Sequence, residues 1–175
     1  MKRLIGLCAL LLFLNSCDDG DLTIQKFNFD TAATVQTCSG EGLFFKIKSK
    51  EALVLTIPST SFTNVVTPAD QPTELLINAT NQVIYRLFDA TVSNTYFCAS
   101  FPPATPLVVE EWKASNGVSG VSGIINITTT EIVSPTTSAV TGYNHLIVFK
   151  NITFTKEGNS FTYETYTFGS YVTSI

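Results

Sequence analysis

The sequence predicts an all-β protein, an antiparallel β-sandwich of about nine or ten short strands. Apolar side chains recur at every second position along most of the chain, and no segment keeps the period of 3.6 residues that an amphipathic helix requires. The 25 threonines agree with this, because Thr suits the wet face of a pleated sheet. With no helix longer than a turn, the strands must bury their apolar face by stacking two sheets or by closing one sheet. A lipocalin-like β-barrel is therefore the alternative.

Six alternating runs mark the strands. They lie at 43–47, 53–57, 83–87, 125–127, 147–149 and 161–163. Three short polar stretches, SKEA at 49–52, NATN at 78–81 and KEGN at 156–159, each separate two runs and predict hairpin turns. Prolines indicate two longer connections, at 59–73 and in FPPATP at 101–106.

The first 16 residues have the layout of a secretory signal peptide. Lys2 and Arg3 precede an apolar segment that ends at Leu14, and a small, polar pair follows it. A helix that spans a membrane needs about 20 residues, which is more than this segment supplies. The sequence therefore predicts a lipoprotein signal peptide at 1–16 that is removed rather than kept as a membrane span.

The residues Leu14-Asn15-Ser16-Cys17 resemble the lipobox of bacterial lipoproteins, in which a small residue precedes a cysteine that becomes the acylated first residue of the mature chain. The resemblance implies lipidation of Cys17 and makes a bilayer the first expected partner, since each buried CH₂ of an acyl chain contributes roughly 0.8 kcal/mol. It covers positions 1 to about 21. In a general way, the whole chain resembles small Gram-negative surface lipoproteins with a β-rich domain.

An acidic run, Asp18, Asp19 and Asp21, follows Cys17 in the stretch 17–22 that would tether the domain. It looks like the export signal that, in some Gram-negative groups, sends lipoproteins to the outer face of the outer membrane. In other bacteria, an aspartate directly after the acylated cysteine resembles an inner-membrane retention signal instead. We expect a lipid-anchored protein of the outer membrane at the cell surface, with a periplasm-facing lipoprotein as the alternative.

Residues 23–175 are predicted to form a single β-rich domain. Removal of the signal peptide takes the formal net charge from −4 to −6, because two cations leave and all fourteen carboxylates remain. This acidic domain contains one arginine, Arg86. The composition argues against nucleic acid as a partner, because a protein that binds nucleic acid needs many cations to neutralise the phosphates.

The four cysteines reduce to one informative pair. Cys8 would leave with the signal peptide and Cys17 would be lipidated, so Cys38 and Cys98 remain in an oxidising exported compartment. A disulfide between them would close a loop of about 60 residues, worth roughly 4 kcal/mol in the chain-entropy description. The alternative is two separately buried thiols.

The chain offers few groups for catalysis, and we expect no catalytic residue, no cofactor and no metal. His145 is the only histidine, and alternation places it on one face with Ile147 and Phe149, as expected for a hydrogen-bonded strand residue. A single histidine and a disulfide cannot supply the three or four ligands of a zinc site. Glu110 and Glu111 are adjacent, but a regular strand directs them to opposite faces.

The glycine-rich stretch NGVSGVSG at 116–123 has a glycine at every third position. A phosphate-binding loop needs a helix after it, whereas a strand-like sequence follows here. The stretch therefore predicts a twisted hairpin or a bulge with close backbone packing.

Aromatic residues give the remaining indication of a binding surface. Trp112 and Phe101 could belong to a face that binds sugar or peptide, although aromatic side chains also fill cores of this kind. Our hypothesis is a non-enzymatic lipoprotein whose β-sandwich binds glycan or protein, or serves as an accessory subunit of an envelope complex. The alternatives are a β-barrel carrier of a small apolar ligand and an envelope hydrolase that uses two carboxylates.

Overall fold

The computed structural model of this chain describes residues 26–27, 29, 34–38, 42–68, 70–101 and 103–175. The predicted signal peptide, the lipidation site Cys17 and the acidic residues Asp18, Asp19 and Asp21 lie outside the described residues. Within these ranges, no helix has both the length and the apolar character needed to cross a bilayer.

The described chain forms nine strands in one antiparallel sheet with almost no helix, which confirms the predicted all-β fold. The strands are β1 (Gln36–Thr37), β2 (Leu43–Lys48), β3 (Glu51–Thr56), β4 (Thr73–Leu76), β5 (Gln82–Phe88), β6 (Val108–Ala114), β7 (Ile124–Val133), β8 (Val140–Lys156) and β9 (Asn159–Ser174). The helical segments among the described residues are a 3-10 turn at Ser59–Ser61 and the helix α1 (Asn94–Cys98). With five residues, α1 is slightly longer than the single turn that the sequence predicts.

The long strand β8 divides the sheet into two halves. The strand order is β1-β2-β3-β5-β6-β8-β7-β4, and β9 pairs with the other edge of β8. The first part of β8 pairs with β7 and its last residues pair with β6, with Asn151 at a φ of 47° between the two parts. Among the described residues no ladder joins β1 to β4, so the sheet is not closed into the alternative barrel and agrees with a sandwich.

One aromatic-rich core lies between the two halves. It contains inward side chains of both, including Leu53, Tyr85, Ile125, Ile147, Phe149, Phe154, Phe161 and Phe168. Phe27, upstream of β1, stacks on Tyr85 with 4.6 Å between ring centroids and meets Phe154 edge-on at 5.0 Å. Six of these positions follow the predicted alternation, whereas Phe154 and Phe168 lie out of phase with the predicted runs at 147–149 and 161–163. The contacting rings fill the space between the halves.

The opposite face of β2, β3 and β5 is also buried. Phe45 and Phe88 pack there against Phe97 and Tyr96 of α1, with ring centroids 4.6 and 5.0 Å apart. As a result, residues 52–55 of β3 are all buried, which a strict alternation does not predict.

The predicted disulfide between Cys38 and Cys98 is confirmed, and the alternative of separate thiols is wrong. Its Cα atoms are 5.3 Å apart. It links the residue after β1 to the last residue of α1 and so holds this helix against the sheet.

Two of the three predicted hairpin turns are confirmed. The SKEA stretch joins the paired strands β2 and β3, and KEGN joins β8 and β9. The prediction for 78–81 is wrong, because β4 pairs with β7 whereas β5 pairs with β3 and β6. This turn crosses from one half of the sheet to the other, and Asn78 Oδ1 stabilises it by accepting the N–H groups of Thr80 and Asn81.

The glycine-rich stretch at 116–123 folds as predicted. Val118 and Ser122 form an antiparallel bridge, and a Cβ atom built on Gly123 would lie 2.6 Å from Cα of Gly117. The two backbones approach so closely that neither position has room for a side chain.

Candidate functional site

A cleft of about 300 Å³ lies where β5 begins and β6 ends. Its lining includes Asn78, Gln82, Ile84, Lys113, Ala114 and Asn116. The volume is at the lower end of the range for ligand pockets, about 300–1,000 Å³. We name it the β5–β6 cleft and take it as the candidate binding site.

The amide side chains of the cleft are held by the 78–81 turn. Gln82 Nε2 donates to the carbonyl of Ala79 at 2.7 Å, and Asn78 Oδ1 accepts two backbone N–H groups. A carboxamide has two N–H donors and one oxygen acceptor. After these bonds, the Nδ2 donors of Asn78 and the Oε1 acceptor of Gln82 have capacity for a ligand.

The remaining lining combines an apolar floor with one cation. Ile84 and Ala114 supply the apolar surface, and Lys113 Nζ lies 3.2 Å from Glu111 Oε1, which offsets its charge. Uncharged amides over an apolar floor suit a ligand with hydroxyl or carbonyl groups, such as a short glycan or a polar peptide segment.

A shallow groove of about 440 Å³ between β6 and the β8–β9 turn contains the adjacent carboxylates. Glu110 Oε2 lies 3.6 Å from Lys156 Nζ, and Glu111 Oε2 lies 2.7 Å from Arg86 Nε. Partial burial raises the pKa of Glu111, but hydrogen bonds and charges of Arg86 and Lys113 outweigh it, so the pKa lies below its usual value. Glu111 is therefore ionised at neutral pH, which does not suit a proton donor.

The structure places the two predicted aromatic residues in different environments. Trp112 is 8% exposed, its ring lies 5.1 Å from that of Phe161, and its Nε1 donates to Glu110 Oε2 at 3.1 Å. Phe101 is 87% exposed in the connection between α1 and β6. Because Trp112 belongs to the core, the two side chains do not form one exposed face.

His145 is fully buried and hydrogen-bonded through both ring nitrogens. Thr129 Oγ1 lies 2.9 Å from Nδ1, and Thr173 Oγ1 lies 2.9 Å from Nε2. Thr173 gives its only hydroxyl proton to Asn64 Oδ1 at 2.8 Å, so it accepts from Nε2–H, and Nδ1 accepts from Thr129. Desolvation lowers the pKa of His145. The imidazole is therefore neutral and hydrogen-bonded at both nitrogens, which agrees with the expected hydrogen-bonded strand residue.

The described part of the chain contains no cluster of three or more His, Cys, Asp or Glu side chains that could hold a metal. The β5–β6 cleft was missed in the sequence, because its two sides come from residues 77–84 and 113–116. The amide-rich NATN stretch at 78–81 is the local indication of this cleft, although its pattern predicts a hairpin turn.

No protein-family model matches this chain, and neither a curated protein nor a solved structure shows significant similarity to it. Over the residues that the structure describes, the fold and the cleft therefore define it only as an all-β protein built on one open, nine-stranded antiparallel sheet.

Proposed function

We propose that this protein is a non-enzymatic lipoprotein of the outer membrane, exposed at the cell surface, that binds a glycan or a protein segment in the β5–β6 cleft. The observation that carries the proposal is the lining of the cleft. The carboxamides of Asn78 and Gln82 lie beside the apolar surface of Ile84 and Ala114, and this combination suits a ligand with hydroxyl or carbonyl groups.

The described chain begins beside the start of β9. The backbone carbonyl of Phe27 accepts the hydroxyl proton of Tyr163 at 2.6 Å, and the N–H of Phe29 donates to the hydroxyl oxygen of Tyr166 at 3.3 Å. The chain thus runs along β9 away from the β8–β9 turn. Its first described residues lie on the side of that turn.

The cleft lies beside the β8–β9 turn, because its lining residues Lys113 and Ala114 pair with Thr155 and Phe154 at the end of β8. The ring of Phe27 packs on Tyr85 and Phe154, so the described chain begins at the level of the cleft. A tether from Cys17 would therefore reach the domain close to the cleft.

Two further features support the proposal. The disulfide agrees with export, since disulfides persist in oxidising compartments. The filled aromatic core does not favour an internal carrier, and the ion-paired Glu111 does not favour a carboxylate hydrolase.

The anchor is tested by the mass and the location of the full-length protein expressed in cells. We expect the wild type in the outer-membrane fraction with the added mass of its acyl chains, and Cys17→Ala as an unacylated precursor outside it. Protease treatment of intact cells should remove the wild type while a periplasmic marker stays intact. Normal fractionation of Cys17→Ala would contradict the anchor.

The cleft is tested by screening the acylated protein in vesicles against cell-surface oligosaccharides and envelope proteins. Gln82→Ala should weaken binding of a ligand found in this way. Gln71→Ala is the matched control, because Gln71 is also exposed but does not line the cleft. A ligand that binds both variants equally well does not use the cleft.

A further inference from the structure

We propose that β6 binds an extended segment of another protein as an added strand, along the edge that faces away from β5. We call this stretch, Val108–Trp112, the β6 edge. It lines the shallow groove next to the β8–β9 turn and does not line the β5–β6 cleft, so the inference goes beyond the proposed function.

The β6 edge is a part of the sheet with a strand on one side only. β6 pairs with β5 along most of its length, whereas its pairing with β8 is limited to Lys113 and Ala114. β8 ends at Lys156, and the chain turns there into β9. In the part of the chain that the structure describes, no strand pairs with the β6 edge on this side, over a length of roughly 15 Å.

The β6 edge directs main-chain hydrogen-bonding groups into the groove. The carbonyl of Lys113 accepts the Thr155 hydroxyl at 3.3 Å, and the N–H of Ser115 donates to the Thr153 carbonyl at 2.8 Å. The main chain of both residues therefore faces β8. Because alternate residues of a strand face the same side, the N–H and C=O of Glu111 point in this direction too, beyond the end of β8.

A β-bulge adds Val109 to these open positions. Leu87 pairs with Glu110 and Phe88 pairs with Val108, so Val109 has no partner residue in β5. Its side chain is 53% exposed. Bulges occur where a sheet re-aims a residue or ends its pairing. Here the bulge leaves the main chain of Val109 open to a partner together with its side chain.

The groups along the β6 edge determine the chemical class of the partner. N–H donors and C=O acceptors recur at every second residue, and an extended polypeptide presents the complementary groups at the same spacing. Neither an acyl chain nor a sugar ring repeats donors and acceptors in this way. Addition of a strand to an exposed edge is a known mode of peptide recognition, in which main-chain bonds give affinity and alternate side chains give specificity.

The charges of the groove favour an uncharged segment from another protein. Lysines left free along an edge deter pairing, but Lys113 Nζ lies 3.2 Å from Glu111 Oε1 and Lys156 Nζ lies 3.6 Å from Glu110 Oε2. A charged segment would compete with these ion pairs. A second copy of the chain would bring its own Glu110 and Glu111 to the β6 edge, and like charges opposite each other destabilise a strand pair.

The experiment uses random dodecapeptides displayed on phage. Peptides are selected for binding to the full-length protein and depleted with the variant Val109→Pro. Proline removes the main-chain N–H of Val109, and strands tolerate it where that N–H has no neighbouring strand. Val109→Ala is the matched control, because it shortens the same side chain and keeps the N–H. Gln82→Ala shows whether a selected peptide uses the cleft instead.

We expect selected peptides that bind the wild type, Val109→Ala and Gln82→Ala with similar affinity. N-methylation of a synthetic peptide should weaken binding by about tenfold at every second position and little between them, because only alternate N–H groups face β6. Binding should also slow the amide hydrogen exchange of Val109 and Glu111. The exchange of Trp112 should change little, since its amide already faces β5.

Failure to select any peptide that distinguishes the wild type from a folded Val109→Pro would overturn the proposal. Should Val109→Pro not fold, peptides selected on the wild type alone are judged by the N-methylation pattern and by amide exchange, and losses without a period of two would overturn it. A wild-type dimer that Val109→Pro converts to a monomer would assign the β6 edge to a second copy and would also overturn it. None of these results affects the β5–β6 cleft, which Gln82→Ala tests separately.

Discussion

Thr129 and His145 face each other across β7 and β8, with 2.9 Å between the threonine Oγ1 and the imidazole Nδ1. Through Thr173 the same imidazole is linked to Asn64, so one chain of hydrogen bonds joins three strands to the connection after β3. The ring of Phe62 packs edge-on against the imidazole at 5.2 Å. This neutral network attaches the connection to the end of the core that lies away from the first described residues.

Stability should fall on mild acidification because His145 is buried in its neutral form. Desolvation lowers the pKa of His145 in the folded protein, whereas the unfolded chain binds a proton at about 6.5. Below that pH, proton uptake favours unfolding by up to about 1.4 kcal/mol per pH unit until the folded pKa is reached. Urea unfolding at pH 7.5 and 5.0 measures the difference.

The variant His145→Gln should be less stable at pH 7.5 but should lose most of this dependence on pH. Glu111 does not interfere in this window, because its pKa lies below its usual value of 4.5 and its contribution is lost only at lower pH. A wild type equally stable at both pH values would contradict the assignment of a neutral, protected imidazole.

Removing the disulfide should destabilise the protein strongly. Cys38→Ser frees a loop with a sequence separation of 60, and the chain-entropy description assigns roughly 4 kcal/mol to such a closure. The packing of α1 on Phe45 and Phe88 would loosen as well. Thermal unfolding with thiol labelling of Cys98 measures both effects, and the reduced wild type is the control. An unchanged melting temperature would show that the bridge adds little.

Two glycines with similar backbone conformation should respond differently to alanine. Gly120 and Gly123 have φ values of 69° and 62°, so alanine is strained at both. At Gly120 the new Cβ meets no atom within 4 Å, whereas at Gly123 it would lie 2.6 Å from Cα of Gly117. We expect about 1 kcal/mol for Gly120→Ala and a clearly larger loss for Gly123→Ala in urea unfolding. Equal losses would mean that the backbones of Gly117 and Gly123 can move apart without a further loss of stability.

The strands could be predicted because alternation reports which face of a strand is apolar. Period alone predicts that Ile147 and Phe149 share one apolar face, and both are fully buried. Alternation fails for β3, because the second face of this strand is buried as well. Ala52 and Val54 on that face pack in the cluster that α1 covers. Only the fold reveals that a five-residue helix, held by a distant disulfide, covers that face.

The candidate site could be predicted less well because it depends on which strands become neighbours. Asn78 and Gln82 stand in a polar turn that looks like a hairpin, yet β4 and β5 belong to different halves of the sheet. Asn116 reaches the same cleft from a turn that is distant in sequence. Composition cannot separate an exposed aromatic residue from a core one, so the sequence alone does not distinguish Phe101 from Trp112.

The acidic run after Cys17 can be an export signal or a retention signal, and these two interpretations predict opposite results. If Asp18 and Asp19 are an export signal, the double variant Asp18→Ala and Asp19→Ala should stay acylated and membrane-bound but resist protease added to intact cells. If they are a retention signal, the wild type should resist the protease and the double variant should move from the inner to the outer membrane. Asp70→Ala, which removes an exposed carboxylate within the domain, should leave the location unchanged. A double variant that is cut as readily as the wild type would show that the run is only a solvated tether.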